Sequence, residues 1–108
     1  MSNKTRVEIM KSKYPNKKFT IILYHADDGK KRKTLQIGQA GAEDFTLGAS
    51  ETKKNSYIKR HQARENHGIS GITTRGFWSR WLLWDKPTIT EAINDIEKKF
   101  DVDIVYKK

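Results

Sequence analysis

The stretch Gly76-Phe77-Trp78-Ser79-Arg80-Trp81-Leu82-Leu83-Trp84 holds all three tryptophans of a 108-residue chain. Wound as an α-helix, it places Phe77, Trp81 and Trp84 on one side and Trp78 with Leu82 on another, while Leu83 closes most of the remaining circumference. Such a segment is buried on nearly every side. Only Ser79 and Arg80 are polar, and an unpartnered buried guanidinium is costly, so Arg80 must pair with a carboxylate such as Asp85 or Asp44, stack on an indole, or reach an external anion.

Downstream of this block, Thr88 and Glu91 have capping-box spacing, and Ile89, Ala92, Ile93, Ile96 and Phe100 follow the period of an amphipathic helix that Asp101 ends. The alternation in Val102-Asp103-Ile104-Val105-Tyr106 predicts a final strand. Upstream, Ser50 caps a helix expected from Glu51 to about Asn66, with Gly68 as its left-handed stop. One face of that helix carries Lys53, Tyr57, Arg60 and Arg64, cations suited to phosphates around a ring suited either to stacking or to the core. Ile58 points to the core.

Nearer the start, Phe19-Thr20-Ile21-Ile22-Leu23-Tyr24-His25 is the strongest strand pattern, Asp27-Asp28-Gly29 is turn chemistry, and Thr34-Leu35-Gln36-Ile37 is a return strand. Residues 18–38 therefore read as a β-hairpin. Four consecutive cations, Lys30, Lys31, Arg32 and Lys33, fall at or beside its tip. The glycines Gly38, Gly41 and Gly48 serve turns, because the Lys-Ser/Thr of a phosphate-binding loop is missing; Phe45 is the expected core anchor beneath them. Residues 1–16 read as a basic arm, containing either a short edge strand at Val7 and Ile9 or a segment that orders on a partner. The expected architecture is that arm followed by one α+β domain over 17–108, a small antiparallel sheet (the hairpin plus the C-terminal strand) packed against about three helices.

The formal charge is +9, and it is uneven. Residues 1–33 carry ten Lys/Arg against three acidic residues, whereas residues 34–108 carry twelve against ten. A local basic excess favours polyanions, nucleic acid first, with anionic membrane and acidic protein surfaces behind it. The absence of cysteine excludes disulfides, thiolate metal sites and cysteine catalysis. Nowhere do apolar residues run far enough to insert in a membrane, and Met1-Ser2-Asn3-Lys4 leads into charge instead of a signal-peptide core, so the expected location is intracellular, not secreted. His61 and His67 are too widely spaced for one helical metal face. With Glu65 they offer only a loose form of a nuclease centre, so neither a metal, a cofactor nor enzymatic activity is expected.

Three blocks, Asp44-Phe45-Thr46, Tyr57-Ile58-Lys59-Arg60-His61-Gln62-Ala63-Arg64-Glu65 and the tryptophan stretch continued through Asp85-Lys86-Pro87-Thr88, resemble a family of small basic proteins encoded by large double-stranded DNA viruses of algae and protists. The similarity runs from about Ile37 to Phe100. It implies a protein of the virion or the infected host cell, acting as a sequence-independent binder or condenser of double-stranded DNA or as a minor structural protein contacting other virion proteins, and it brings no catalytic residues. The nucleic-acid-binding residues expected from the sequence are Lys30, Lys31, Arg32, Lys33, Lys53, Tyr57, Arg60, Arg64 and Arg80.

Overall fold

The computed structural model describes residues 5–107 and has an α+β fold with four strands and three helices. Strands β1 (Arg6–Lys11), β2 (Lys17–Tyr24), β3 (Lys31–Gln39) and β4 (Asp103–Lys107) lie in the order β3-β2-β1-β4. The expected hairpin is β2–β3, antiparallel, with Ile21 opposite Leu35 and Phe19 opposite Ile37.

Two features of the sheet differ from the sequence reading. The sheet is mixed, because β4 runs parallel to β1, with Val7 opposite Ile104 and Ile9 opposite Tyr106. The expected arm also supplies a central strand. Val7 and Ile9 are fully buried, and β1 is paired on both sides, to β2 and to β4. Its alternating charge is accommodated on the other face, where the Glu8 carboxylate accepts from the Tyr24 hydroxyl at 2.8 Å and from Arg6 at 2.9 Å. The Tyr24 bond, helped by Lys107 and Arg6, holds the Glu8 carboxyl below its ordinary value against the effect of burial. Residues 1–4 of the expected arm, Lys4 among them, lie outside the described residues.

Helix α1 (Glu51–Gln62) is capped as expected, Ser50 accepting from the Lys53 N–H. It stops about a turn earlier than predicted, and Gly68, at φ −88°, is extended, not left-handed. Only Tyr57 of α1 is buried, so little apolar packing holds a further turn. Helix α2 begins at Arg75–Trp78 behind a Thr74 cap and widens into a π-helical turn over Ser79–Leu83, in which the Trp84 N–H donates to the Ser79 carbonyl at 3.2 Å. Helix α3 (Ile89–Phe100) starts at its Thr88 cap and ends at Asp101, which takes the left-handed conformation at φ 54°.

The widened turn re-aims the aromatic block. Phe77 and Trp78 are the fully buried pair, whereas Trp81 and Trp84 stay partly exposed. Trp81 packs edge-on to Phe100, with Arg80 and Lys99 over its ring. The core lies between one sheet face, carrying Val7, Ile9, Ile21, Leu23, Leu35 and Ile37, and the α2–α3 layer, contributing Phe77, Trp78, Leu82, Ala92, Ile93 and Ile96. Phe45 stays outside this cluster, under the Lys54 ammonium at 4.7 Å. Asp44, at 1% exposure, organises that loop instead, accepting from Thr46, from the Leu47 N–H and from Lys18. No helix among the described residues is long and apolar enough to cross a membrane.

Candidate nucleic-acid interface

The hairpin tip is built by its turn chemistry. Gly29 at φ +70° reverses the chain where a side chain would be strained, Asp28 accepts from the Lys30 N–H at 2.9 Å, and the His25 N–H closes the loop on the Lys30 carbonyl at 2.8 Å. Beyond it Leu23 faces Lys33 and Tyr24 faces Lys31, so Arg32 is the extra residue of a β-bulge on an edge strand. Lys30, Lys31, Arg32 and Lys33 are all exposed, and no acidic group among the described residues pairs with them. Four unpaired cations on a protected edge discourage sheet-to-sheet association and present concentrated positive charge.

The α1 stripe divides. Arg60 and Arg64 are exposed and have no ion-pair partner among the described residues, as is true of Lys59 and Arg75, which the sequence reading did not select. Lys53 is committed to Glu43, bonding its two carboxylate oxygens at 2.9 and 2.8 Å. Tyr57, 7% exposed, is no stacking platform for a ligand, because its ring is already stacked on His61 at 4.2 Å and on Trp84 at 4.6 Å. Burial, with the Glu65 charge, pushes its phenol up to about 12. Arg80 is likewise a structural cation, 12% exposed and paired with Asp85 at 3.3 Å. Six of the nine expected residues are therefore exposed without an ion-pair partner among the described residues, Lys53 is exposed but paired with Glu43, and Tyr57 and Arg80 are held inside the protein.

The tip and the stripe stand apart. Gly38 shares a cleft of about 490 Å3 with Tyr57, Arg60 and Arg75, and the seven residues back to Lys31 span about 23 Å at a strand's rise. Beside that cleft the chain turns after α1 and brings together three groups that looked too dispersed in sequence. Glu65 receives His61 Nδ1 and His67 Nε2, each at 3.0 Å. Burial raises the Glu65 carboxyl, but the two imidazole hydrogen bonds outweigh it and hold the group below its ordinary value. Both oxygens are spent on imidazoles, and no group of three His, Asp or Glu side chains among the described residues is arranged to hold a metal ion.

Two glycines make this joint possible. A Cβ on Gly76 would meet the Glu65 carboxyl carbon at 2.7 Å, and one on Gly71 would meet the Asn66 carbonyl oxygen at 2.1 Å. A side-chain end can move away; a backbone carbonyl cannot. Gly71→Ala is therefore expected to cost about 1–3 kcal/mol by overpacking, and Gly76→Ala less, by displacing Glu65 from its histidines. Paired thermal melts check the order, and equal losses would show that the Glu65 cluster is as rigid as the backbone.

Residues 7–61 match a family of unknown function, DUF5754, over just over half of the chain. The chain belongs to this family. The DUF5754 match takes in the first three strands, the hairpin tip and α1 as far as His61, while Arg64, Arg80 and the tryptophan block lie beyond it. No curated protein and no solved structure gives a significant match to this DUF5754 member.

Proposed function

We propose that this protein binds nucleic acid, duplex DNA first, through phosphates and without reading sequence, and that it does so in the virion or the infected cell of a large DNA virus. The observation that carries the reading is the hairpin tip, where Lys30, Lys31, Arg32 and Lys33 are exposed and unpaired on a bulged edge strand. Arg60 and Arg75, which line the cleft beside Gly38 at the far end of β3, supply a second cationic site, and Lys59 and Arg64 are exposed close to Arg60 in the chain. Neither the extended tip nor the exposed side of α1 forms a helix-turn-helix or a finger, so the cations contact backbone rather than base edges and specificity is low. The protein acts by binding and not as an enzyme. The viral setting rests on the resemblance carried by Ile37 to Phe100.

Binding to an arbitrary duplex is expected to weaken steeply with salt. Replacing the four tip cations by glutamine is expected to remove about 3–4 from the log–log salt slope, at about 0.9 per phosphate contact. Titration by fluorescence anisotropy at several salt concentrations measures this. No binding at low salt, or an unchanged slope, would remove the reading. Divalent-metal-dependent cleavage of the DNA that disappears in His61→Ala would replace it with a nuclease.

A further inference from the structure

A second cleft, of about 750 Å3, opens at the end of the sheet opposite the hairpin tip, where the β1–β2 turn, the loop after Asp44 and the start of α3 converge. Its walls are apolar and partly aromatic. Phe19, Ile89 and Tyr106 form the inner surface, while Tyr14 and Leu47 stand at the mouth 48% and 66% exposed, two of the four large apolar side chains most open to solvent among the described residues. The size and lining are those of a ligand site.

The charge around it has one sign. Lys11 and Lys17 reach the cleft without an ion-pair partner among the described residues, and Lys13 lies 5.7 Å from the centre of the Tyr14 ring. Asp44, the acid at this cleft, is buried and neutralised by Lys18. Ser12 is committed to Gln36 and Thr46 to Asp44, Thr88 accepts from the Glu91 N–H, and the Tyr14 hydroxyl stands with its ring at the mouth. What remains for a ligand is apolar surface, an exposed aromatic ring and cations. That combination suits a flat apolar group carrying negative charge, recognised mainly by stacking and charge.

We propose that this cleft holds an unpaired nucleotide of a single strand, the base against Tyr14 and Leu47 and the flanking phosphates on Lys11 and Lys17. The proposal rests on the nucleic-acid reading above and deepens it. A duplex keeps its bases stacked inside and offers a concave apolar site nothing but phosphates, whereas a single strand can lay a base on an aromatic wall while its backbone follows the lysines. Binding carried by stacking and phosphate contacts makes the site tolerant of base identity.

The test uses the full chain with a ten-nucleotide single strand carrying one 2-aminopurine, the same strand annealed into a duplex, and the same strand with abasic sites. Tyr14 and Leu47 are exposed enough for Tyr14→Ala and Leu47→Asp to fold normally, which circular dichroism verifies. Each is expected to weaken single-strand binding about tenfold, within the range of one lost base–aromatic stack, to abolish the 2-aminopurine quenching seen with the unaltered chain, and to leave duplex binding as it was. The tip variant is expected to weaken both strands. If the abasic strand binds as tightly as the base-bearing one, or if both cleft variants bind the single strand normally, the cleft proposal is overturned while the tip reading stands. If the unaltered chain binds neither form, both are overturned. An acidic, aromatic peptide that displaces the single strand no better than its uncharged counterpart supports the nucleotide, and one that binds more tightly than the single strand overturns it in favour of a protein partner.

Discussion

Trp78→Ala is expected to be the most damaging aromatic truncation in the chain, lowering stability by about 3–5 kcal/mol. Trp78 is fully buried, lies edge-on to Phe77 at 5.2 Å, and donates its indole N–H to the Ile72 carbonyl at 2.8 Å. Alanine would leave a large cavity and a buried carbonyl without its donor, two costs that add. Against a typical domain stability of about 5–15 kcal/mol the loss removes much of the margin. The melting temperature is expected to fall by about 12–40 °C, at about 4–8 °C per kcal/mol for a domain near this size. Trp81 is the control. Its ring is partly exposed and its N–H goes to the His67 carbonyl at 2.7 Å, so Trp81→Ala is expected to cost about half as much or less. Thermal melts of the two variants decide the matter, and a larger loss for Trp81→Ala would mean that the widened turn of α2 does not set which indole is core.

That widened turn also marks where sequence reasoning stops. An α-helical period applied to residues 77–84 groups Phe77 with Trp81 and Trp84; Phe77 and Trp81 do share Phe100, but the bond from the Trp84 N–H to the Ser79 carbonyl adds a residue to the turn, and Trp84 stacks on Tyr57 instead. Elements whose signals are local were legible: the β2–β3 hairpin from its alternation and Asp-Gly turn, and α3 from its Thr88 cap and apolar period. Strand β1 was only half legible, because its outward Glu8 looks solvent-facing until Tyr24 and Lys107 arrive from distant parts of the chain. The parallel pairing of β4 has no local signal at all. The same division holds for the candidate sites. Tip cations could be found as a run of like charge. The apolar cleft could not, since Tyr14, Leu47, Ile89 and Tyr106 come from four separate segments, and His67 joins Glu65 only because α1 ends early.

Arg80 gives the second large effect. Its guanidinium lies 4.2 Å from the centre of the Trp81 ring, and its Nη1 donates to Asp85 Oδ1 at 3.3 Å and to the Trp84 carbonyl at 3.4 Å. Asp85 is 6% exposed and meets Asp95 carboxyl to carboxyl; its Oδ2 receives no basic side chain among the described residues, whereas Asp95 Oδ2 has the Lys99 ammonium at 3.4 Å. Burial first, and then the Asp95 contact, raise the Asp85 carboxyl above its ordinary value; the Arg80 charge is the principal force restraining that rise. Arg80→Ala therefore strands a carboxylate in the interior and is expected to cost about 3 kcal/mol at neutral pH, as breaking a buried pair from one side does. The sign with pH follows from linkage. A carboxyl whose folded pKa is raised contributes stability fully below its unfolded pKa, and that contribution is lost as pH rises through the folded value. Asp95, lowered by its bond with Asp85, behaves oppositely, its contribution being present above the unfolded value and lost on acidification. Without Arg80 the Asp85 carboxyl rises further, so the deficit relative to the unaltered chain is greatest at neutral pH and shrinks toward pH 4. Adding Asp85→Asn to Arg80→Ala is expected to restore part of the loss, because the stranded charge is gone, whereas Arg80→Lys restores little, having neither the planar stack on Trp81 nor the forked donors. Melts between pH 4 and 8 on these variants read the effect directly. A fully stable Arg80→Ala protein that binds DNA less well would instead return Arg80 to the ligand-facing cations beside Arg60 and Arg64.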